Sequence, residues 1–541
     1  MASREVSVSL AFAAAVVLNA AFWALGNIPQ SAGPDILKPL TSFSFAPFRK
    51  SQSPLTQNYP SPKEIDADMR LLQDKTKRIR TYTSREGMEV VPELAQKYGL
   101  KVIHSAWLGG KESTNQAEIE ALIKSANKHP ETIESVIVGN EVLLRRDLTS
   151  KQLIDNIRKV KENIKQPVSY ADVWAFWLKY PEVADAVDII TIHILPYWED
   201  EPVHIDDTPA YILKTYKMMQ ERFPGKKFLI GEAGWPSMGR SRGPAVPSVI
   251  NSAKFVRELA FLSEQNGIDY NVVEAFDQNW KSKLEGTVGA NWGWISDSRD
   301  FKFPLKGSVV EDINWPMLFI ISLVFGMIAG TFFFQNWEKL SNNQLVGSFL
   351  LAQVLSIMFV KSAYLGLISS YTWHSLLIFT IWQVLIGIYS MMILKAAIEI
   401  VSQKPEPVST NERRMFVIFA ISATIVGLLI AFDGRYRDIP VIPFLIPVFG
   451  STLLVVLSKN YADFNWKYGV TAILIFTALA NIGGEGWAIV GEDFSKTHPT
   501  KNEQIPLIIK AMFSNIEVLV WVAMLLIWAW SSNIRYRIKE S

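Results

Sequence analysis

With 541 residues, 49% of them hydrophobic, and a positive mean hydropathy, the chain is too apolar for an ordinary soluble enzyme, so membrane spans must be counted before domains. Its 54 basic and 52 acidic residues leave a formal net charge of +2 with no long basic run, which argues against a nucleic-acid partner. Zero cysteines exclude a disulfide framework and a thiolate nucleophile.

The chain begins with an apolar stretch, Val6 to Leu25, interrupted only by small polar residues such as Ser7, Ser9 and Asn19. About twenty such residues suffice to cross ~30 Å of hydrocarbon as a helix. A cleaved signal peptide is the competing assignment, but no clear Ala-x-Ala site follows, so residues 1–26 are expected to be a retained transmembrane anchor. Residues 27–42 lie in a Pro, Ser and Gln-rich stretch and read as a linker.

From residue 43 to residue 307, strand and helix patterns alternate. Strand character is predicted at Phe43 to Phe48, Arg78 to Tyr82, Lys101 to Leu108, Ser135 to Glu141, Pro167 to Ala171, Asp188 to Pro196, Lys227 to Glu232 and Tyr270 to Phe276. Helical patterns fall between them, for example Asn115 to Asn127, Ser150 to Ile164, Pro209 to Phe223 and Ser248 to Asn266. Ser61-Pro62-Lys63-Glu64 carries a helix start, with Ser61 as N-cap and Glu64 closing a capping box. Eight strands, each but the last followed by a helix, over roughly 270 residues match an α/β (β/α)8 TIM barrel. A doubly wound sheet would more often show a Gly-rich phosphate loop after its first strand, and none is present.

After Gly307 the sequence becomes membrane-like. Seven further spans are expected: Ile313 to Phe334, Leu345 to Ile368, Ser375 to Ile398, Met415 to Phe432, Ile439 to Leu457, Tyr468 to Ile489 and Ile505 to Trp530, making residues 308–541 an α-helical transmembrane bundle. Lys339, Lys404, Arg413, Arg414, Lys459 and Lys467, with the tail Arg535-Tyr536-Arg537-Ile538-Lys539, fall on one side. The positive-inside rule makes that side cytoplasmic and places the barrel outside. Lys361, Glu485, Lys510 and Glu517 lie in or near spans. Such charges either pair between helices or line a pocket, here one for a lipid-linked sugar or a path for polymer. Asp433-Gly434-Arg435-Tyr436-Arg437-Asp438 goes against the charge rule on the outer side.

Two strand ends carry the chemistry. Val136-Ile137-Val138-Gly139-Asn140-Glu141 ends the fourth strand on a carboxylate, and Phe228-Leu229-Ile230-Gly231-Glu232 ends the seventh on another. Two glutamates at the C-terminal mouth of a barrel are what a retaining glycosidase needs, one as acid/base and one as nucleophile, about 5 to 5.5 Å apart. Other strand ends aim Arg80, Tyr82, Trp107, Asn140, Asp172, Trp174, His193, Tyr197, Trp198, Trp235, Glu274, Asp277, Gln278, Trp280 and Lys281 toward the same face. Among these, Arg80, Tyr82, Trp107, Asn140, His193, Tyr197, Trp198, Trp235, Glu274, Asp277, Gln278, Trp280 and Lys281 are the candidate substrate-binding residues. Trp107, Trp174, Trp177, Trp198, Trp235, Trp280, Trp292 and Trp294 are candidate sugar platforms, half of them expected to be core instead. His193 either contacts the glycone, hydrogen-bonds the acid/base or is a satisfied core histidine. No His/Asp/Glu group at metal-ligand spacing surrounds it, so no metal and no cofactor are expected.

Gly139-Asn140-Glu141, Gly231-Glu232-Ala233-Gly234-Trp235-Pro236-Ser237, Glu274-Ala275-Phe276-Asp277-Gln278-Asn279-Trp280-Lys281 and Gly286-Thr287-Val288-Gly289-Ala290-Asn291-Trp292-Gly293 together resemble glycoside hydrolase family 17, the β-1,3-glucanase and glucanosyltransferase family of clan A. The resemblance implies Glu141 as acid/base, Glu232 as nucleophile, a retaining double displacement, and β-glucan or a glucosyl donor with a sugar acceptor as partners. Where the family usually reads Phe-Asp-Glu, this chain has Phe276-Asp277-Gln278, so an accessory carboxylate near the pair is replaced by an amide. The layout of anchor, outer barrel and membrane bundle is similar to rhizobial-type membrane proteins implicated in β-1,6 linkages of periplasmic glucans. That second likeness implies a bacterial inner-membrane protein with its barrel in the periplasm, and synthesis rather than cleavage.

Overall fold

The computed structural model describes every residue except 1, 333–338, 403–409, 458–466, 491–493, 495–497 and 533–541. It divides into two compact units, one formed by Pro29–Val310 and the other by Met1–Ile28 with Glu311–Ser541.

In the first unit, eight parallel strands close into a barrel in chain order: Leu40–Ser44, Thr76–Arg80, Lys101–Ala106, Ile133–Asn140, Val168–Val173, Ile189–His193, Lys227–Ala233 and Tyr270–Val272. Closure is made by Phe43 beside Val272. β-Branched runs such as Val136-Ile137-Val138 and Ile189-Ile190-Thr191-Ile192 suit a pleated surface covered on both faces, and their side chains are almost entirely buried. An inner cluster of Ile103, Ile137, Ala171 and Leu229 fills the barrel, while a larger shell joins the strands to the surrounding helices. The Ser61 capping box forms as its sequence predicts, with the Ser61 N–H donating to Glu64 Oε2 at 2.8 Å. The last strand is also followed by a short helix, Ser282–Ala290, which the sequence pattern did not show because glycines 286 and 289 interrupt it.

The expected linker at residues 27–42 is largely part of this unit. Gln30 and Ser31 pair antiparallel with Val309 and Ser308, Ile36 N–H donates to the Leu305 carbonyl at 2.9 Å, Ala32 is fully buried and the first strand begins at Leu40. Backbone pairing and burial, which Pro and Ser content does not report, decide the boundary.

In the second unit, six helices are long and apolar enough to cross a membrane: Glu5–Leu25, Trp315–Phe332, Asn342–Ile368, Trp373–Val401, Thr410–Phe432 and Tyr468–Ala488. Val441–Leu457 is apolar but shorter. The expected continuous span Ile505 to Trp530 is instead two helices, Lys501–Ser514 and Ile516–Ser531, bent by 69° at Asn515. Asn515 caps the second helix by accepting from Val518 N–H, and its amide donates to Glu485 Oε2 at 3.2 Å. Lys404, Lys459 and the basic tail at 535–539 lie outside the described residues.

A buried polar network joins the first helix to its neighbours. Ser322 Oγ donates to Asn19 Oδ1 and accepts from Trp23 Nε1, both at 2.9 Å. The Ser322 carbonyl accepts from Gln353 Nε2 at 3.0 Å and from Ser356 Oγ at 2.6 Å. In an apolar medium, interhelical hydrogen bonds contribute on the order of 0.6 kcal/mol each. Lys361 lies 5.7 Å over the Trp23 ring, a cation–π contact between helices.

Candidate active site

The fourth strand ends at Asn140 and the chain then turns sharply. Gly139 has φ +89°, and a Cβ there would lie 2.7 Å from Val142 Cγ2, so glycine is required. Glu141 itself adopts φ +52°, a left-handed conformation uncommon for a side-chain-bearing residue. Its N–H donates to the Ala171 carbonyl at 2.8 Å, and its carbonyl accepts from Arg145 N–H at 2.9 Å. On the seventh strand, a Cβ at Gly231 would meet Thr191 Cγ2 at 2.3 Å, and His193 Nε2 would be 3.4 Å away. Glycine at this position lets the sixth strand and its histidine pack against the residue that precedes Glu232.

The two glutamates meet at His193. Its Nδ1 is 3.0 Å from Glu141 Oε1 and its Nε2 is 3.7 Å from Glu232 Oε1. One carboxylate oxygen of each glutamate and one His193 nitrogen all lie within 4.8 Å of one another. Such a separation belongs to the short, retaining geometry and not to the 6.5–9.5 Å that leaves room for a water in inverting enzymes. His193 therefore contacts the acid/base candidate, one of the roles open to it from sequence.

The surroundings of Glu232 set its charge. Burial alone would raise its pKa, but His193, Arg80 and Lys281, with the Tyr82 hydroxyl, hold the carboxyl below the usual value. Arg80 Nη1 donates to Glu232 Oε1 at 3.1 Å and to the Gly231 carbonyl at 2.7 Å, while Nη2 donates to Asn140 Oδ1. The Tyr82 hydroxyl donates to Glu232 Oε1 at 2.9 Å. Behind them Glu274 accepts from Lys281 Nζ at 2.8 Å. Burial, opposed by Lys281 and reinforced by Glu232 and Glu285, pushes the Glu274 carboxyl up to about 7. The site thus holds an ionised carboxylate among cationic and hydroxyl donors beside a more exposed one, Glu141, whose side chain retains 24% accessibility.

Several expected substrate contacts prove structural. Trp235 is 1% exposed, and its Nε1 donates to the Val246 carbonyl. Tyr197 is fully buried, its hydroxyl donating to the Arg240 carbonyl. Asp277 accepts from Gly293 N–H at 2.9 Å and pairs with Lys302 at 2.7 Å. Gln278 donates to the Ala46 and Phe276 carbonyls and accepts from Trp280 Nε1. These Gln278 hydrogen bonds go to the backbone and to Trp280, and charges acting on Glu232 include those of His193, Arg80, Lys281 and Glu285. Trp177, Trp292 and Trp294 are also buried. Trp107, 40% exposed with Arg145 stacked 4.4 Å over its ring, and Trp198, half-buried and stacked on Trp292, remain placed as platforms.

Sequence reasoning left Tyr170, Arg145 and Glu285 out of the candidate site, and noticed Asp172 only as a strand-end residue. Arg145 donates to the carbonyls of Asn140 and Leu108. Glu285 is electrostatically coupled to Glu141 and Glu232. Neither sits at a strand end, which is why strand-end reasoning did not reach them.

Glu141, His193 and Glu232 could converge on a metal ion, a grouping that sequence spacing could not show because the three come from separate strands. Arg80 already places a cation 3.1 Å from Glu232 Oε1.

Residues 42–293 match the BtgE/BtgC glycoside hydrolase domain family. Glucan 1,3-beta-glucosidase of Schizosaccharomyces pombe is 30% identical over 259 residues, covering 44% of this chain and 79% of that protein. Glucan 1,3-beta-glucosidase BGL2 of Candida albicans is 29% identical over 259 residues, covering 43% and 83%. Among solved structures, a glycoside hydrolase family 17 beta-1,3-glucanosyltransferase from Rhizomucor miehei is 27% identical, covering 49% of this chain and 95% of that one, with a TM-score of 0.43. The Schizosaccharomyces pombe relative, matched over 79% of its length, shows that the chain belongs to this glycoside hydrolase family of glucan 1,3-beta-glucosidases and is an enzyme of glycoside-hydrolase type.

Proposed function

We propose that the protein is a membrane-attached β-glucan transglycosylase working by retaining double displacement. The observation that carries this is the close approach of the Glu141 and Glu232 oxygens, within 4.8 Å. Glu232 attacks the anomeric carbon of the donor as the glycosidic C–O bond breaks, and Glu141 gives its proton to the departing oxygen. The resulting glucosyl ester on Glu232 is then attacked by an acceptor hydroxyl whose proton returns to Glu141. Arg80 and Tyr82 keep Glu232 ionised and hold it in place, and Trp107 and Trp198 offer faces for sugar rings.

The finer reading is that the acceptor is a sugar 6-hydroxyl and the product a β-1,6 linkage, made on the periplasmic side of a bacterial inner membrane with a glucan or lipid-linked glucose as donor. It is supported by the fusion of the barrel to a set of apolar helices. The second reading, hydrolysis of β-1,3-glucan, is favoured by the relatives named glucosidases.

Incubation of the full chain in detergent with laminari-oligosaccharides tests this. Longer products with new linkages are expected; products that are only shorter sugars and glucose would leave the hydrolase. Glu232→Gln is expected to abolish both activities, and retained turnover would remove Glu232 as nucleophile.

A further inference from the structure

The residues that follow Glu141 are held by two side chains of the neighbouring strand. Tyr170 and Asp172 lie two apart on Val168–Val173, on the same face, and are 1% and 0% exposed. The Tyr170 hydroxyl accepts from Leu143 N–H at 3.0 Å and donates to Asp172 Oδ2. The same Oδ2 accepts from Leu144 N–H at 3.4 Å, and Oδ1 accepts from Val173 N–H at 2.8 Å. Two consecutive N–H groups just beyond Glu141 are thus bound by one Tyr–Asp pair, on a segment whose first residue is in the left-handed region. A turn of that kind persists when its surroundings over-determine it, and here buried polar groups do so.

We propose that Tyr170 and Asp172 form a positioning pair for the acid/base, clamping the turn that carries Glu141. This rests on the reading of Glu141 as acid/base. Besides Tyr170, the groups electrostatically coupled to Asp172 are Glu141 and His193, with Arg145 acting on Tyr170. Burial, opposed by the Tyr170 hydroxyl and reinforced by Glu141, pushes the Asp172 carboxyl up to about 6.

Asp172→Asn removes the charge and leaves one acceptor oxygen where the carboxylate offers two, to Leu144 and to Val173; Tyr170→Phe removes the hydroxyl alone. Both are compared with the unaltered full chain on laminari-oligosaccharides and on 2,4-dinitrophenyl β-laminaribioside, whose leaving group departs without a proton. General acid help is typically worth 10²–10⁴-fold, so partial misplacement of Glu141 is expected to lower turnover of the oligosaccharide by about 10- to 100-fold in both variants. Formation of the glucosyl-enzyme from the activated donor is expected to change by less than about 3-fold on the same argument. Loss on the donor that needs a proton, with the activated donor spared, is a readout that a purely structural role would not give. Equal losses on both donors would overturn the proposal. Glu141→Ala serves as the separate control: retained oligosaccharide turnover there would remove the acid/base assignment and this proposal with it, whereas loss rescued by azide on the activated donor upholds the assignment on which Asp172 is judged.

Discussion

Arg80 reaches Glu232 with its guanidinium wholly buried, Nη1 lying 3.1 Å from the carboxylate oxygen. The same fork also binds the Gly231 carbonyl and Asn140, so one residue of the second strand ties together the ends of the fourth and seventh. A planar five-donor group can do this and a point charge cannot. Arg80→Lys is therefore expected to lower kcat by about 10²-fold or more while preserving net charge, through a misplaced Glu232 carboxylate. Steady-state kinetics on the full chain check it, and a loss below about 3-fold would mean that charge alone is what Glu232 requires.

A buried histidine makes the barrel sensitive to acid. His104, fully buried on the third strand with Nδ1 2.8 Å from Thr81 Oγ1, has its pKa lowered to about 3, chiefly by burial, from an ordinary 6.5. Between these values the unfolded chain binds a proton here that the folded barrel does not. Stability accordingly falls as pH falls through the window, by up to about 1.4 kcal/mol per pH unit. His104→Asn is expected to flatten this part of the dependence of the barrel's melting temperature on pH, and an unchanged slope between pH 6.5 and 4 would count against it.

Two tryptophans should separate stability from recognition. Truncating the buried Trp235 to Ala is expected to cost about 3–5 kcal/mol of barrel stability. Truncating the exposed Trp107 is expected to leave the melting temperature within about a degree or two, since exposed substitutions usually change stability by less than ~0.5 kcal/mol, and to raise KM. Calorimetry and kinetics on the same two proteins decide, and a destabilised Trp107→Ala would return that indole to the structural set.

Chelation addresses the Glu141–His193–Glu232 group. With Arg80 already at the Glu232 oxygen, activity is expected to survive treatment with EDTA and dialysis unchanged. Loss of turnover restored by one divalent ion would assign that group to a metal.

What could be read from the sequence follows the range of the forces involved. Strands are local, so runs such as Val136-Ile137-Val138 and Phe228-Leu229-Ile230 announced themselves, and counting them led to the barrel and its two glutamates. Tyr170 and Asp172 act across to the fourth strand's turn, and only their alternation on one strand hinted that they share a face. Trp235 and Gln278 stand beside catalytic-looking motifs, yet their polar atoms bind backbone carbonyl groups or a neighbouring indole, a distinction that depends on loop geometry. The bend at Asn515 was hidden because the residues on either side are apolar and helix-forming, and the cap that interrupts them is one side chain bound to a neighbouring helix.

The pairing of Gln30–Ser31 with Ser308–Val309 brings the first and last residues of the catalytic unit side by side. A domain whose ends meet can be spliced between two consecutive helices of a membrane protein, or removed from them, without changing the length of chain that those helices must bridge. The catalytic unit is in this sense a cassette, entered and left at adjacent points.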